Sequence, residues 1–288
     1  MSSYQTGVSP PITVPSVRER KHSSKKIVAL TAYDYTTALL LDREDVDIIL
    51  VGDSVASIVQ GESNTLPVTL DDMVYHCRAV SKGVKRALVV GDLPFLSYQI
   101  SPEDAIRSAG RLLKEGRVGA VKLEGGMAVA DTIKRIVAVD IPVMGHVGLT
   151  PQSYHRMGGH KIQGRSHGDE NGSWERILED ALQVEASGAF AIVIEGVPAD
   201  LATEITKRVT IPTIGIGAGS QCDGQILVTH DMLGLGITDP PRFVKKYLQL
   251  SDQIGEAVRN YAEEVRSGAF PSAEHTLTNL PIKQLKRA

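Results

Sequence analysis

Residues 87–126 read ALVVGDLPFLSYQISPEDAIRSAGRLLKEGRVGAVKLEGG. Two short apolar runs, Ala87–Val90 and Ala120–Leu123, flank a stretch of helical pattern. Ser101 is placed to cap that helix, Pro102 suits its first turn, and Glu103 and Asp104 favour a helix N-terminus. Ala105, Ala109, Leu112 and Leu113 then fall on one face. Each apolar run ends in an acid beside glycine, Gly91-Asp92 and Glu124-Gly125-Gly126. The segment is one strand–helix–strand unit with chemistry at its carboxyl ends.

The same rhythm extends in both directions. Further runs are Ile27–Ala32, Asp47–Val51, Ile141–Met144, Ala189–Ile194, Thr213–Ile216 and Ile226–Val228, the last being the weakest. Most are continuously apolar, as parallel strands covered on both faces must be. Thr69-Leu70-Asp71-Asp72 opens another helix, and a third runs over 173–186 before Gly188. Eight such units in 288 residues predict a (β/α)8 TIM barrel, a fold of roughly 250 residues. A doubly wound open sheet is the rival on strand count alone. Residues 1–25, rich in Ser, Pro and basic residues, read as a flexible arm. Residues 26–268 read as one barrel domain, and 269–288 as a tail.

Composition narrows the function. A net charge of −3 and a charged fraction of 23% supply no bulk attraction for nucleic acid or an anionic membrane. No apolar run approaches the roughly 20 residues that span a bilayer. The first residues show no charged segment followed by an apolar one, so no secretory signal is expected. Cys77 and Cys222 form no paired metal spacing, which favours a reducing compartment and predicts a cytoplasmic protein.

In parallel α/β folds the site lies at the carboxyl ends of the strands. Those ends carry Asp53-Ser54, Asp92, Glu124, Gly145-His146 and Glu195. Each acid alone reads equally well as a cap or a turn. A set of four beside glycines points instead to a ligand approached closely by backbone. Gathered carboxylates require a hard divalent cation, a shared proton or a lysine. Mg²⁺ suits carboxylates, water and substrate oxygens, whereas zinc would favour more His or Cys. Lys122 shares a strand face with Glu124. It is placed to pair with a carboxylate, to bind an anionic substrate or to form a Schiff base. His146 reads as a substrate ligand, a proton relay or a structural histidine, and Ser54 as a donor to a substrate or a turn residue. The glycines of 215–219 suit a phosphate or simply close packing. The long polar stretch 152–172 reads as a lid or binding loop.

Several motifs occur together: Thr31–Tyr35, Leu50–Ser54, Thr65–Thr69, Asp92–Phe95, Val121–Gly126, Gly145–Gln152, Gln163–Arg165, Glu195–Pro198, and Ile214–Gly219 with Asp223–Gln225. In this order and spacing, over 12–268, the chain resembles the ketopantoate hydroxymethyltransferase (3-methyl-2-oxobutanoate hydroxymethyltransferase) family. The resemblance implies a barrel of the phosphoenolpyruvate mutase and isocitrate lyase group. It implies that Asp53 and Asp92 bind Mg²⁺, with Glu124 in or near its shell. Asp53, Ser54, Asp92 and Lys122 would contact a 2-oxo acid, His146 would sit at the site, and Glu195 would be the catalytic acid/base. The implied reaction moves a hydroxymethyl group from 5,10-methylenetetrahydrofolate to 3-methyl-2-oxobutanoate through a Mg-stabilised enolate, in pantothenate biosynthesis. A homo-oligomer, often a decamer, is implied as well. His160 stands where the family often has Tyr or Phe. A related metal-dependent C–C lyase or mutase, and a non-catalytic acid-binding barrel, are the alternatives.

Overall fold

A computed structural model describes residues 10–236 and 240–277. Eight parallel strands lie where the apolar runs predict them. They are β1 Ile27–Thr31, β2 Ile48–Val51, β3 Leu88–Asp92, β4 Ala120–Glu124, β5 Val143–Gly148, β6 Ala191–Glu195, β7 Thr213–Ile216 and β8 Gly224–Leu227. They pair in chain order, and β8 returns to β1 through Ile27–Leu30. That closure excludes the open sheet. The last strand starts at Gly224, two residues before the run that marks it.

The helices are α1 Val14–Glu19, α2 Tyr35–Arg43, α3 Leu70–Gly83, α4 Pro102–Lys114, α5 Ala130–Val137, α6 Tyr154–Met157, α7 Trp174–Ala186, α8 Ala199–Arg208, α9 Thr229–Met232 and α10 Leu250–Ser267. Their starts follow from side-chain caps. Ser101 Oγ accepts from Asp104 N at the head of α4, and Thr69 and Asp72 form a reciprocal capping box on α3,.

The continuous apolar runs serve two cores. Ile49, Val51, Val89, Val121, Leu123, Val143, Ile192 and Ile194 face outward against the helices. Ile48, Leu50, Leu88, Val90, Ala120, Met144, Ala191 and Val193 fill the barrel interior. Along that inner face the alternation of a strand carries chemistry upward. Val90 is followed by Asp92, Ala120 by Lys122 and Glu124, Met144 by His146, and Val193 by Glu195.

Residues 10–25 of the N-terminal arm are more ordered than their composition suggests. Residues 1–9 lie outside the described part, but 10–25 are built in. A Thr13–Ser16 capping box starts α1, and Val17 is buried with the inner core. Lys21 Nζ bonds Asp223 Oδ2 at 2.9 Å and Thr206 O at 2.7 Å. Buried apolar surface and paired charge order this segment.

Contacts divide the chain into two compact units. The barrel unit ends at Thr229 and includes Pro241–Val244, whereas the sequence reading draws one domain over 26–268. The second unit is 230–240 with residues from Lys245 onward, and it contains α10. Of the tail, the described part reaches residue 277, with a 3-10 turn at Ala273–His275.

Candidate active site

The barrel brings together the acids that the sequence places far apart. Register sets Asp92 of β3 beside Lys122 of β4, and Glu124 of β4 beside His146 of β5. Lys122 Nζ lies 2.7 Å from Asp92 Oδ1, with both side chains buried. Asp53, two residues past β2, donates its backbone N–H to Asp92 Oδ2 at 3.1 Å. Lys122 Nζ is also 3.2 Å from His146 Nδ1. His146 spans two glutamates, with Nδ1 3.5 Å from Glu124 Oε1 and Nε2 3.3 Å from Glu195 Oε2. The second contact is not a directed hydrogen bond. Glu195 is the most open of the four acids, its side chain 18% exposed.

Backbone geometry at the mouth depends on Gly148, which has φ +95°, and whose Cβ would stand 2.3 Å from Glu195 O. That carbonyl accepts from Leu149 N at 2.8 Å. A side chain at 148 would push on the backbone that carries Glu195.

Burial governs the electrostatics. It lifts the Asp53 carboxyl well above its ordinary value, and the charges of Asp92 and Glu124 lift it further, against Lys122 and Gln152. Burial also raises Asp92, with Lys122 opposing. Desolvation pulls Lys122 down, but Asp92, Glu124 and Asp53 overcome it and hold the ammonium charged. Glu124 is raised by burial but ends low, because His146, Lys122 and the Gln152 N–H favour its anion. Burial and Lys122 lower His146, yet Glu124 and Glu195 push it up to about 9. The centre thus holds more buried negative charge than one lysine neutralises, and Asp53 carries most of the cost.

Two residues to which the sequence reading assigns no role organise these acids. Gln152 sits in the turn Pro151–Ser153 after β5 and is buried. Its Nε2 donates to Asp53 Oδ2 at 2.9 Å and to Leu93 O at 3.0 Å, while its backbone N donates to Glu124 Oε2 at 3.0 Å. The Tyr98 hydroxyl lies 2.8 Å from Gln152 Oε1 and 3.0 Å from Glu124 O. Gln152 lies four residues past β5, at the start of the polar stretch 152–172 that reads as a lid or binding loop, and that position was its available signal. Tyr98 lies in a loop and carries no such signal.

Ser54 follows Asp53, and its Oγ lies 2.8 Å from the Tyr33 hydroxyl. His76 Nδ1 is 2.7 Å from Tyr33 O, in keeping with a structural histidine on α3. Cys77 is buried beneath Gly91, and burial pushes its thiol up, out of reach of nucleophilic work,. Gly217 leaves room for the Phe243 ring, so close packing accounts for it. The stretch 152–172 carries α6, and Gln163 N donates to Gly196 O at 2.9 Å. Beneath it lies a cavity of about 420 Å³ bordered by Tyr98, Glu124, Gln152, Arg156 and Asp180.

The donor set suits a hard cation in part. Asp53 and Asp92 are carboxylates raised first by burial, Asp53 further by the charges of Asp92 and Glu124 and Asp92 by that of Glu124, a cost that a divalent ion would relieve,. Glu124 has Oε2 engaged by Gln152 and Oε1 facing His146. Among the described residues no cluster of three acid, His or Cys side chains forms a closed metal cage. Two carboxylates with water and substrate oxygens are a normal Mg²⁺ environment, and an all-protein cage is not.

A family model described as ketopantoate hydroxymethyltransferase matches residues 11–273. The chain belongs to that family. Among the relatives of this ketopantoate hydroxymethyltransferase family member is a 3-methyl-2-oxobutanoate hydroxymethyltransferase from Pelobacter propionicus. It is 53% identical over 265 residues, covering 92% of this chain and 97% of that protein. Another of the same description, from Prosthecochloris aestuarii, is 50% identical over 280 residues, covering 96% and 100%. Among solved structures, a phosphonopyruvate hydrolase superposes with a TM-score of 0.60 at 13% identity, covering 93% of this chain and 92% of that one. A 2,3-dimethylmalate lyase of the PEP mutase/isocitrate lyase superfamily gives 0.57 at 16%, covering 93% and 90%. At those identities the two structures speak for the barrel and not for the reaction.

Proposed function

We propose that this chain transfers a hydroxymethyl group from 5,10-methylenetetrahydrofolate to 3-methyl-2-oxobutanoate, forming 2-dehydropantoate. The observation that carries this reading is the buried Asp53–Asp92–Lys122 cluster at the barrel mouth, with Glu195 opening beside it across His146. Asp53 and Asp92 are the residues that would hold Mg²⁺, with Glu124 close by. Bound there, the ion supplies Lewis-acid polarisation of the ketone, which acidifies C3.

The chain's own groups do the rest. Lys122 is charged at neutral pH and offsets the carboxylate of the acid. Ser54, oriented by Tyr33, offers a hydroxyl to the same substrate. Asp53, Asp92 and His146 border the bound acid. Glu195 accepts the C3 proton as general base. His146, charged below about 9, steadies the Glu195 carboxylate from 3.3 Å. Water adds to the methylene carbon and both of its C–N bonds break, releasing tetrahydrofolate and a one-carbon unit at the formaldehyde level. The carbanionic C3 attacks that carbon, and the resulting alkoxide, its oxygen from water, takes the proton back from Glu195.

The same reading takes the protein as a homo-oligomer in the cytoplasm, with a decamer as the family precedent. On α10, Ile254, Val258, Tyr261 and Val265 recur at helical spacing and are all exposed, a stripe suited to another copy. Two free buried thiols, Cys77 and Cys222, suit a reducing compartment,.

Product analysis tests the reaction directly. 3-Methyl-2-oxobutanoate, methylenetetrahydrofolate and Mg²⁺ together should yield 2-dehydropantoate, and omission of any one should abolish it. Turnover without the folate or after exhaustive chelation would reject the assignment.

A further inference from the structure

We propose that Gln152 is the positioning residue of the metal-binding acids, setting Asp53 and Glu124 by one hydrogen bond each and anchored by a third to Leu93 O. The inference rests on the reading of Asp53 and Asp92 as metal ligands and goes beyond it.

The orientation of the Gln152 amide is decided by its surroundings. Leu93 O is a backbone carbonyl and only accepts, so the group facing it at 3.0 Å is the NH₂,. Its other N–H points to Asp53 Oδ2 at 2.9 Å. The amide oxygen meets two donors, the Tyr98 hydroxyl at 2.8 Å and Gln99 Nε2 at 3.2 Å. Both donors and both acceptor positions of the side chain are therefore used. A buried amide so satisfied has a single low-energy orientation, because reversing it would leave Leu93 O and Asp53 facing an oxygen.

The consequence falls on the acids. Asp53 is held by one oxygen, Oδ2, which leaves Oδ1 for a ligand. Its charge is partly offset without a second cation in the site. Glu124 is held by the Gln152 backbone N–H at its Oε2. Its backbone N–H, in turn, donates to the Tyr98 hydroxyl at 3.2 Å. Gln152 and Asp53 stand 99 residues apart in the chain, so the turn after β5 fixes the acid after β2. Partners that orient metal ligands in this way are generally worth about 10–100-fold in metal affinity.

The test is a direct Mn²⁺ titration of the full-length protein, followed by paramagnetic relaxation or calorimetry without substrate. Gln152→Met keeps the length of the side chain and removes all four side-chain hydrogen bonds. It should weaken Mn²⁺ by about tenfold or more, and excess Mg²⁺ should restore much of the turnover. Tyr98→Phe removes one hydroxyl, should weaken Mn²⁺ less and in the same direction, and serves if Gln152→Met does not fold. Wild-type affinity in a folded Gln152→Met variant, or in Tyr98→Phe where that variant replaces it, overturns the inference and leaves the metal reading intact. Failure of the wild-type protein to bind Mn²⁺ overturns the metal reading itself, and the inference with it.

Discussion

Lys122 Nζ and Asp92 Oδ1 approach to 2.7 Å inside the barrel, with side-chain exposures of 4% and 3%. Neither charge has ready access to water, so each depends on the other. Lys122→Met should cost about 3–5 kcal/mol of folding stability, the usual penalty for leaving a buried charge without its partner. Urea unfolding at neutral pH measures this. The same variant should lose binding of the 2-oxo acid in calorimetry. Loss of binding with unchanged stability would mean that the ion pair is not buried as described.

Glu195 is the most exposed of the four acids, with its Oε2 3.3 Å from His146 Nε2, and it takes the role of base in the proposed reaction. Glu195→Gln keeps the shape and removes the basicity. Deuterium exchange at C3 of 3-methyl-2-oxobutanoate should fall by about 10²–10⁴-fold, the range of general-base contributions, while the acid still binds. Exchange at the wild-type rate would remove Glu195 from the role.

Asp53 should trade stability for function. Its carboxyl is raised above the ordinary 3.8, so the folded protein holds that proton more tightly than the unfolded chain. Stability of the metal-free protein therefore falls as pH rises through the interval between the ordinary and the raised value. Asn carries no charge to bury. Asp53→Asn should stabilise the metal-free protein at neutral pH by about 0.5–2 kcal/mol, and added Mg²⁺ should no longer raise its melting temperature. A destabilised Asp53→Asn variant would show that the anion is better solvated than the site suggests.

A prediction away from the site concerns the head of α3. Asp72 Oδ2 accepts from Thr69 Oγ1 at 2.6 Å and from Thr69 N at 3.0 Å, and these bonds hold its carboxyl below 3.8. A lowered folded value means stability that is present above 3.8 and is lost as pH falls through the lowered value. Asp72→Asn should cost ~1 kcal/mol at neutral pH, as a capping-box interaction does. The gap to wild type should close in acid. A gap independent of pH would assign the loss to something other than the carboxylate.

Much of this could be read locally. The runs that became β2 to β6 are apolar because both faces of each strand are covered. The acids at or just past the ends of β2, β3, β4 and β6 stand out for the same reason, as charges where burial is otherwise nearly complete. Caps at Ser101 and Thr69 were legible because a cap is made by residues three apart. The order of residues 10–25 is not legible in composition because it comes from Val17 entering the inner core and from Lys21 reaching Asp223.

The sequence by itself determined the eight-fold strand–helix rhythm, the family, and which acids stand at strand ends. The rhythm and the acids are written in periodicity and in adjacent residues, and the family in the order and spacing of the motifs. Only the tertiary structure decided which charges pair. It set Lys122 on Asp92, placed His146 between Glu124 and Glu195, and brought Gln152 to Asp53. Such partners are chosen by barrel closure and register, which bring distant residues within 3 or 4 Å of one another. At that range, and out of reach of water, a hydrogen bond or a single charge settles what each acid does.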